Sequence, residues 1–294
     1  MKYLLTILFG SLILLSTCVA QLPKTDIYLA VFSNLGTQPQ LMSVTFINDF
    51  NKNGYNNQPN FVSKDELFVT VGKDTSRYTD LYRVNINSKE FFKFSDTESI
   101  SEFSANHAPQ KGRVSCVRIE PDGKDQSLWS YPEDRSGPGF RILPALKNIG
   151  YYSWINKNEV ALFLVGSPHK LMIADIGTGK NTLVSENIGR CLKYDGKGQL
   201  FFVHKITPDT WQLKSYHATS KKIATICQMP AGREDFELLP NGNILTSDGS
   251  KIKMLQPGLT DIWKEIADMA DRGIHHINRI TASGDKVVFV NNKQ

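Results

Sequence analysis

The chain has 294 residues, a formal net charge of +5, and 40% hydrophobic residues. Basic residues are scattered among acidic ones, and no basic run is interleaved with aromatics, so composition excludes a nucleic-acid binder. Of the four cysteines, three lie beyond the first twenty residues, and an odd count excludes a fully paired disulfide framework.

The first twenty residues read as a targeting segment. Lys2 is a short basic region, Leu4 to Leu15 is apolar, and Cys18-Val-Ala20 presents a cleavage site before Gln21. The apolar run is too short for a membrane span. Residue 17 is Thr, a poor neighbour for an acylated Cys18, so a soluble exported product is favoured over a lipid anchor. The expected location is periplasmic or secreted, with no transmembrane segment.

Residues 21–294 then read as one all-β domain. Asp26 to Phe32 and Leu41 to Ile47 are two β-rich runs around a Gly/Pro loop. From Gly54 the chain gives four short strands: up to Phe61, Leu67 to Val71, Asp80 to Ile86, and Phe91 to Phe94. Similar four-strand units cover residues 98–146, 147–187, 188–229 and 230–272, with Ala267 to Arg272 adding a short helical turn. The last run supplies only a first strand, Ile277 to Ile280, and a second, Lys286 to Val290.

Aligned at the ends of their first strands, the units are anchored by Phe61, Ala105, Trp154, Tyr194, Leu238 and Ile280. Successive anchors lie about 40 to 50 residues apart, the period of a four-stranded propeller blade. The N-terminal pair (21–50) lacks what the C-terminal pair (273–294) has. Joining them predicts a six-bladed β-propeller in which strands from both ends share one blade and hide the sheet edges. A β-sandwich pair is the rival reading.

Gly54-Tyr-Asn-Asn-Gln-Pro-Asn-Phe61 followed by Asp80-Leu-Tyr-Arg-Val-Asn-Ile86 resembles the WD40-like repeat of TolB-type propellers. Asp26-Ile-Tyr-Leu29 repeats the last element, and Pro121-Asp-Gly123 and Pro240-Asn-Gly242 echo the family turn, which is replaced here by Val62-Ser-Lys-Asp65. The resemblance spans residues 21–294. It implies a six-bladed propeller of an exported bacterial protein with a non-enzymatic binding role, and names no ligand.

First strands of a propeller line its channel. Counting three residues back from each anchor, with near neighbours, nominates Gln58, Glu102, Tyr151, Arg190, Asp235 and His276 as channel-mouth residues. The expected partner is an envelope protein or peptide bound by a monomer, with no cofactor. Tyr55, Tyr78 and Tyr152 are expected as exposed contact residues. The alternative is a metal-assisted hydrolase or lactonase with one divalent ion in the channel, for which Glu102, Asp235 and His276 are the only ligand set to nominate.

Other motifs carry less. Asp49-Phe-Asn-Lys-Asn-Gly54 matches half a calcium loop but has Asn60 where a bidentate carboxylate is required. Adjacent His275 and His276 would point to opposite faces of a strand. No Gly-x-Ser-x-Gly elbow occurs. Gly177-Thr-Gly-Lys180 lacks the spacing of a phosphate loop and reads as a turn. Cys116 and Cys227 sit in strand-like runs as small apolar residues, and no pairing among Cys116, Cys191 and Cys227 can be read.

Overall fold

The computed structural model describes residues 22–74 and 76–293. The expected targeting segment and Cys18 lie outside the described residues. The strands run in order β1 (Thr25–Ser33), β2 (Gln40–Phe46), β3 (Tyr55–Phe61), β4 (Glu66–Gly72), β5 (Asp80–Asn85), β6 (Phe91–Lys93), β7 (Ser101–His107) and β8 (Arg113–Ile119). Next come β9 (Gln126–Pro132), β10 (Phe140–Arg141), β11 (Ile149–Trp154), β12 (Glu159–Leu164), β13 (Lys170–Asp175), β14 (Asn181–Glu186), β15 (Ile188–Tyr194) and β16 (Gln199–Lys205). The last are β17 (Trp211–His217), β18 (Ile223–Gln228), β19 (Phe236–Leu238), β20 (Ile244–Asp248), β21 (Lys251–Leu255), β22 (Lys264–Asp268), β23 (Ile277–Ser283) and β24 (Lys286–Asn292).

These strands form six four-stranded sheets. Five are consecutive meanders, from β3–β6 to β19–β22, and the sixth has the order β2-β1-β24-β23. First strands touch their neighbours from β23 to β3, β3 to β7, β11 to β15, β15 to β19 and β19 to β23. The molecule is an all-β, six-bladed propeller. The closing sheet pairs β1 with β24 from Thr25 opposite Asn292 to Val31 opposite Lys286.

Position in the blade explains the sequence pattern. Second strands are covered on both faces by adjacent blades, so they are apolar in runs, whereas third strands keep a partial alternation, as in Lys251-Ile-Lys-Met254 of β21. Val160-Ala-Leu-Phe163 of β12 and Val287-Val-Phe-Val290 of β24 are buried throughout. Fourth strands form the rim, and β14, β18 and β22 are largely exposed.

The apolar core is divided into six clusters, one at each seam between blades. Leu67, Val69 and Val84 meet Ile27, Val288 and Val290 at one seam. Phe68, Leu81 and Phe94 meet Ala105, Val114 and Cys116 at the next. The remaining four repeat this arrangement around the ring.

Several smaller expectations meet their structures here. Asp49–Asn51 is a single 3-10 turn. Asp49 is paired with Lys52 at 3.1 Å and Lys89 at 3.2 Å, and Asn51 Nδ2 donates to the carbonyls of Tyr55 and Gly72. A Cβ on Gly54 would sit 2.4 Å from the Gly72 carbonyl, so only glycine fits this crossing. Tyr55 and Tyr152 are buried, not exposed contact residues, and Tyr78 is half-buried. Tyr152 is drawn inward because its hydroxyl donates to the Ser115 carbonyl at 2.7 Å, across the seam between blades. Cys116, Cys191 and Cys227 are all unpaired thiols.

Candidate functional site: the central channel

A cavity of about 450 Å³ opens among the first strands. Its lining takes residues from every blade: Gln58 and Asn60 of β3, Ser104 and Asn106 of β7, Tyr151 and Trp154 of β11, Arg190 of β15, Asp235 ahead of β19, and Arg279 of β23. It lies in the channel for that reason.

Local backbone irregularity turns these side chains inward. The register with the second strand shifts in β3, β7, β11, β15 and β23. Such bulges bend a strand and re-aim its side chains. Gln58 and Ser104 occupy the left-handed region, with φ of 53° and 55°. The Gln58 side chain links the two bulges, because its Oε1 accepts from Ser104 N at 2.8 Å and from Thr70 Oγ1 at 2.9 Å. At β15, a Cβ on Gly189 would lie 2.9 Å from Glu234 Cβ, and glycine there lets the next blade approach.

One wall of the channel is an ionic network centred on Asp235. Its carboxylate is shared by Arg190 and by Arg279, whose Nη1 donates at 2.9 Å. Arg279 Nη2 donates to the Tyr151 hydroxyl at 2.8 Å, and the guanidinium also lies 5.0 Å from the ring centre. Arg190 pairs with Glu234 at 3.1 Å, and Glu234 with Lys205 at 2.8 Å. Nearby, Lys193 pairs with Glu237 at 2.5 Å.

The titration behaviour follows from this arrangement. Burial alone would raise Asp235, but Arg279 and Arg190 overcome it and hold the carboxyl below its ordinary value. Burial also works against the Arg279 charge, yet Asp235 and Tyr151 leave it raised. Burial pushes the Tyr55 hydroxyl up to about 12, against the pull of Arg279. The Cys191 thiol is likewise pushed up to about 12 by burial, which makes it a poor nucleophile.

The structure brings together four of the six nominated residues: Gln58, Tyr151, Arg190 and Asp235. Glu102 and His276 lie elsewhere. Glu102 lines a cavity of about 480 Å³ beside Phe94 and Tyr131, and His276 lines one of about 270 Å³ beside Asp26 and Asn291. Counting back from the anchors assumes an unbroken register. The left-handed residue at Ser104 breaks it, so Glu102 faces the seam between blades instead of the channel. The proposed metal trio of Glu102, Asp235 and His276 therefore does not converge on one point. Among the described residues, no three His, Cys, Asp or Glu side chains form a metal-holding group.

The same kind of shift in β23 hid Arg279, and the count back from the anchor nominates His276 instead. Asn106 and Ser104 were missed for the corresponding reason in β7. A signal was present in Arg279, a charged residue next to an anchor in a strand otherwise expected to be inward-facing.

No protein-family model and no curated protein matches the chain. Solved structures do. A protein assigned as TolB from Agrobacterium tumefaciens superposes with a TM-score of 0.63 at 12% identity, covering 92% of this chain and 99% of that one. The fold is that of a TolB-like six-bladed propeller. TolB from Acinetobacter baumannii gives a TM-score of 0.57 at 10% identity, over 92% of this chain, which spans 64% of that protein. An oligogalacturonate lyase in complex with manganese gives 0.57 at 12% identity, over 91% of this chain and 86% of the lyase. At such identities the likeness is one of fold.

Proposed function

We propose that this TolB-like propeller is an exported, non-enzymatic binding module that holds a peptide segment of an envelope protein in its central channel. The observation that carries the reading is the lining of the channel cavity. Gln58, Asn60, Ser104 and Asn106 offer uncharged donors and acceptors of the kind that satisfy a peptide backbone. Tyr151, Trp154 and Tyr194 offer aromatic surface for side chains. Strands carry these groups, so little ordering entropy is lost on binding. The charges in the wall are engaged with one another, which suits recognition by hydrogen bonding and packing rather than by net charge.

The test is selection from a random peptide library on the immobilised protein, repeated with Asn106→Trp. The indole would take up part of the channel cavity from the β7 side, apart in sequence from Asp235 and Arg279. Selected peptides are expected to bind the wild type and to lose at least tenfold in affinity for Asn106→Trp by fluorescence anisotropy. Peptides that bind both proteins equally, or no selection at all, would overturn the channel reading.

A further inference from the structure

Arg279 and Tyr151 meet across the channel. Their strands, β23 and β11, belong to blades that stand opposite each other in the ring of six. Arg279 Nη2 donates to the Tyr151 hydroxyl at 2.8 Å, and Nη1 donates to Asp235 at 2.9 Å. Arg190 donates to Asp235 and, at 3.3 Å, to the Asn278 carbonyl. Tyr55 of β3 is buried, and Arg279, Tyr151 and Arg190 all act on its hydroxyl. Five of the six blades thus put a side chain into one level of the channel. The Asp235 and Arg279 side chains are only 9% and 13% exposed there, so protein fills that level.

The filled level lies where the first strands begin. Tyr55 opens β3, Asp235 immediately precedes β19, and Tyr151, Arg190 and Arg279 are each third in β11, β15 and β23. The cavity of about 450 Å³ extends only to the other side. None of its lining residues precedes the network in its own first strand. They run on to His107, Trp154 and Tyr194, the last residues of β7, β11 and β15. Ala108 and Pro109, in the turn after β7, complete the lining at that end. The mouth is therefore on the face made by the turns between first and second strands.

We propose that the channel is a blind pocket for a free chain end. The peptide enters from the first-to-second turns, end first, and stops at the bar of Arg279 and Tyr151 instead of threading through. This rests on the peptide reading of the channel and adds which part of the partner it takes. Two opposed side chains span the channel, so its width suits one extended chain. A segment bound from its middle would bring in two, about 4.8 Å apart and with side chains of their own. Opening the bar would leave buried guanidinium groups without partners, which is costly.

Three random peptide libraries test this: one with a free N-terminus, one with a free C-terminus, and one held between two folded domains by flexible Gly/Ser linkers. Selection on the wild type is expected to enrich binders from a free-end library and not from the held one. Each binder is expected to weaken at least tenfold in Asn106→Trp. Adding roughly four residues to its free end should also cost at least tenfold on the wild type, and adding them to the other end should cost little. Held peptides that bind as tightly as free ones and weaken in Asn106→Trp, or a free-end extension without effect, would overturn the blind pocket and leave the peptide reading standing. No binders from any library, or binders indifferent to Asn106→Trp, would overturn both. Should Asn106→Trp fail to give a cooperative melt, the extensions on the wild type decide alone.

Discussion

Asp235 shows how much one residue can hold together in this channel. It is the shared counter-charge of Arg190 and Arg279, which come from different blades. Removing its charge leaves two guanidiniums facing each other in a partly dry wall. Asp235→Asn is therefore expected to cost about 3–5 kcal/mol, the range for breaking a buried ion pair from one side. Urea unfolding would measure it. The effect is tied to pH. The folded carboxyl titrates below its unfolded value of about 3.9, because Arg279 and Arg190 outweigh burial. Its stabilisation is complete above that unfolded value and is lost as pH falls through the lower, folded one. The gap between wild type and variant should accordingly close in acid. A gap that stays constant down to pH 2 would show that the carboxylate charge is not the source.

At the scale of elements, most strands were legible and the bulges were not. Leu67 to Val71, Asp80 to Ile86 and Lys286 to Val290 were read within one or two residues of β4, β5 and β24. Their β-branched and apolar runs end at Gly, Asn or Asp turns, a local signal. The shifts inside β3 and β7 leave no such mark, since nothing in Asn57-Gln-Pro-Asn60 or Phe103-Ser-Ala-Asn106 spells a left-handed residue. They are held by a contact between blades, from Gln58 Oε1 to Ser104 N at 2.8 Å. Gln58→Ala would leave that amide only its longer bond, to Thr70 Oγ1 at 3.3 Å, and is expected to destabilise the protein by about 1 kcal/mol. A lower urea midpoint at unchanged slope is the expected reading. An unchanged midpoint would show that the bulges hold themselves.

For the whole molecule, closure is the decisive feature. β24 joins β1 on one side and β23 on the other. It also buries Val287, Val288, Phe289 and Val290, which enter the cores on both sides of the closing blade. A chain ending at residue 285 would lose this strand, expose the edge of β1, and open both seams. It is expected to show no single cooperative transition on heating, and to be larger than the full chain by size-exclusion chromatography. A cooperative, compact truncated chain would mean that the seams alone hold the ring.

By itself, the sequence determined the fold of this protein. Strand patterns are local, the period of the units repeats, and the two incomplete ends complement each other. Four of the channel residues also followed from the alignment of first strands: Gln58, Tyr151, Arg190 and Asp235. Only the tertiary structure decided that Glu102 faces a seam, that His276 stands apart, and that Arg279 completes the Asp235 network. The reason is that a side chain in a strand points one way or the other with each residue of register. In this propeller the register of the first strands is set by bulges, and contacts between blades set the bulges.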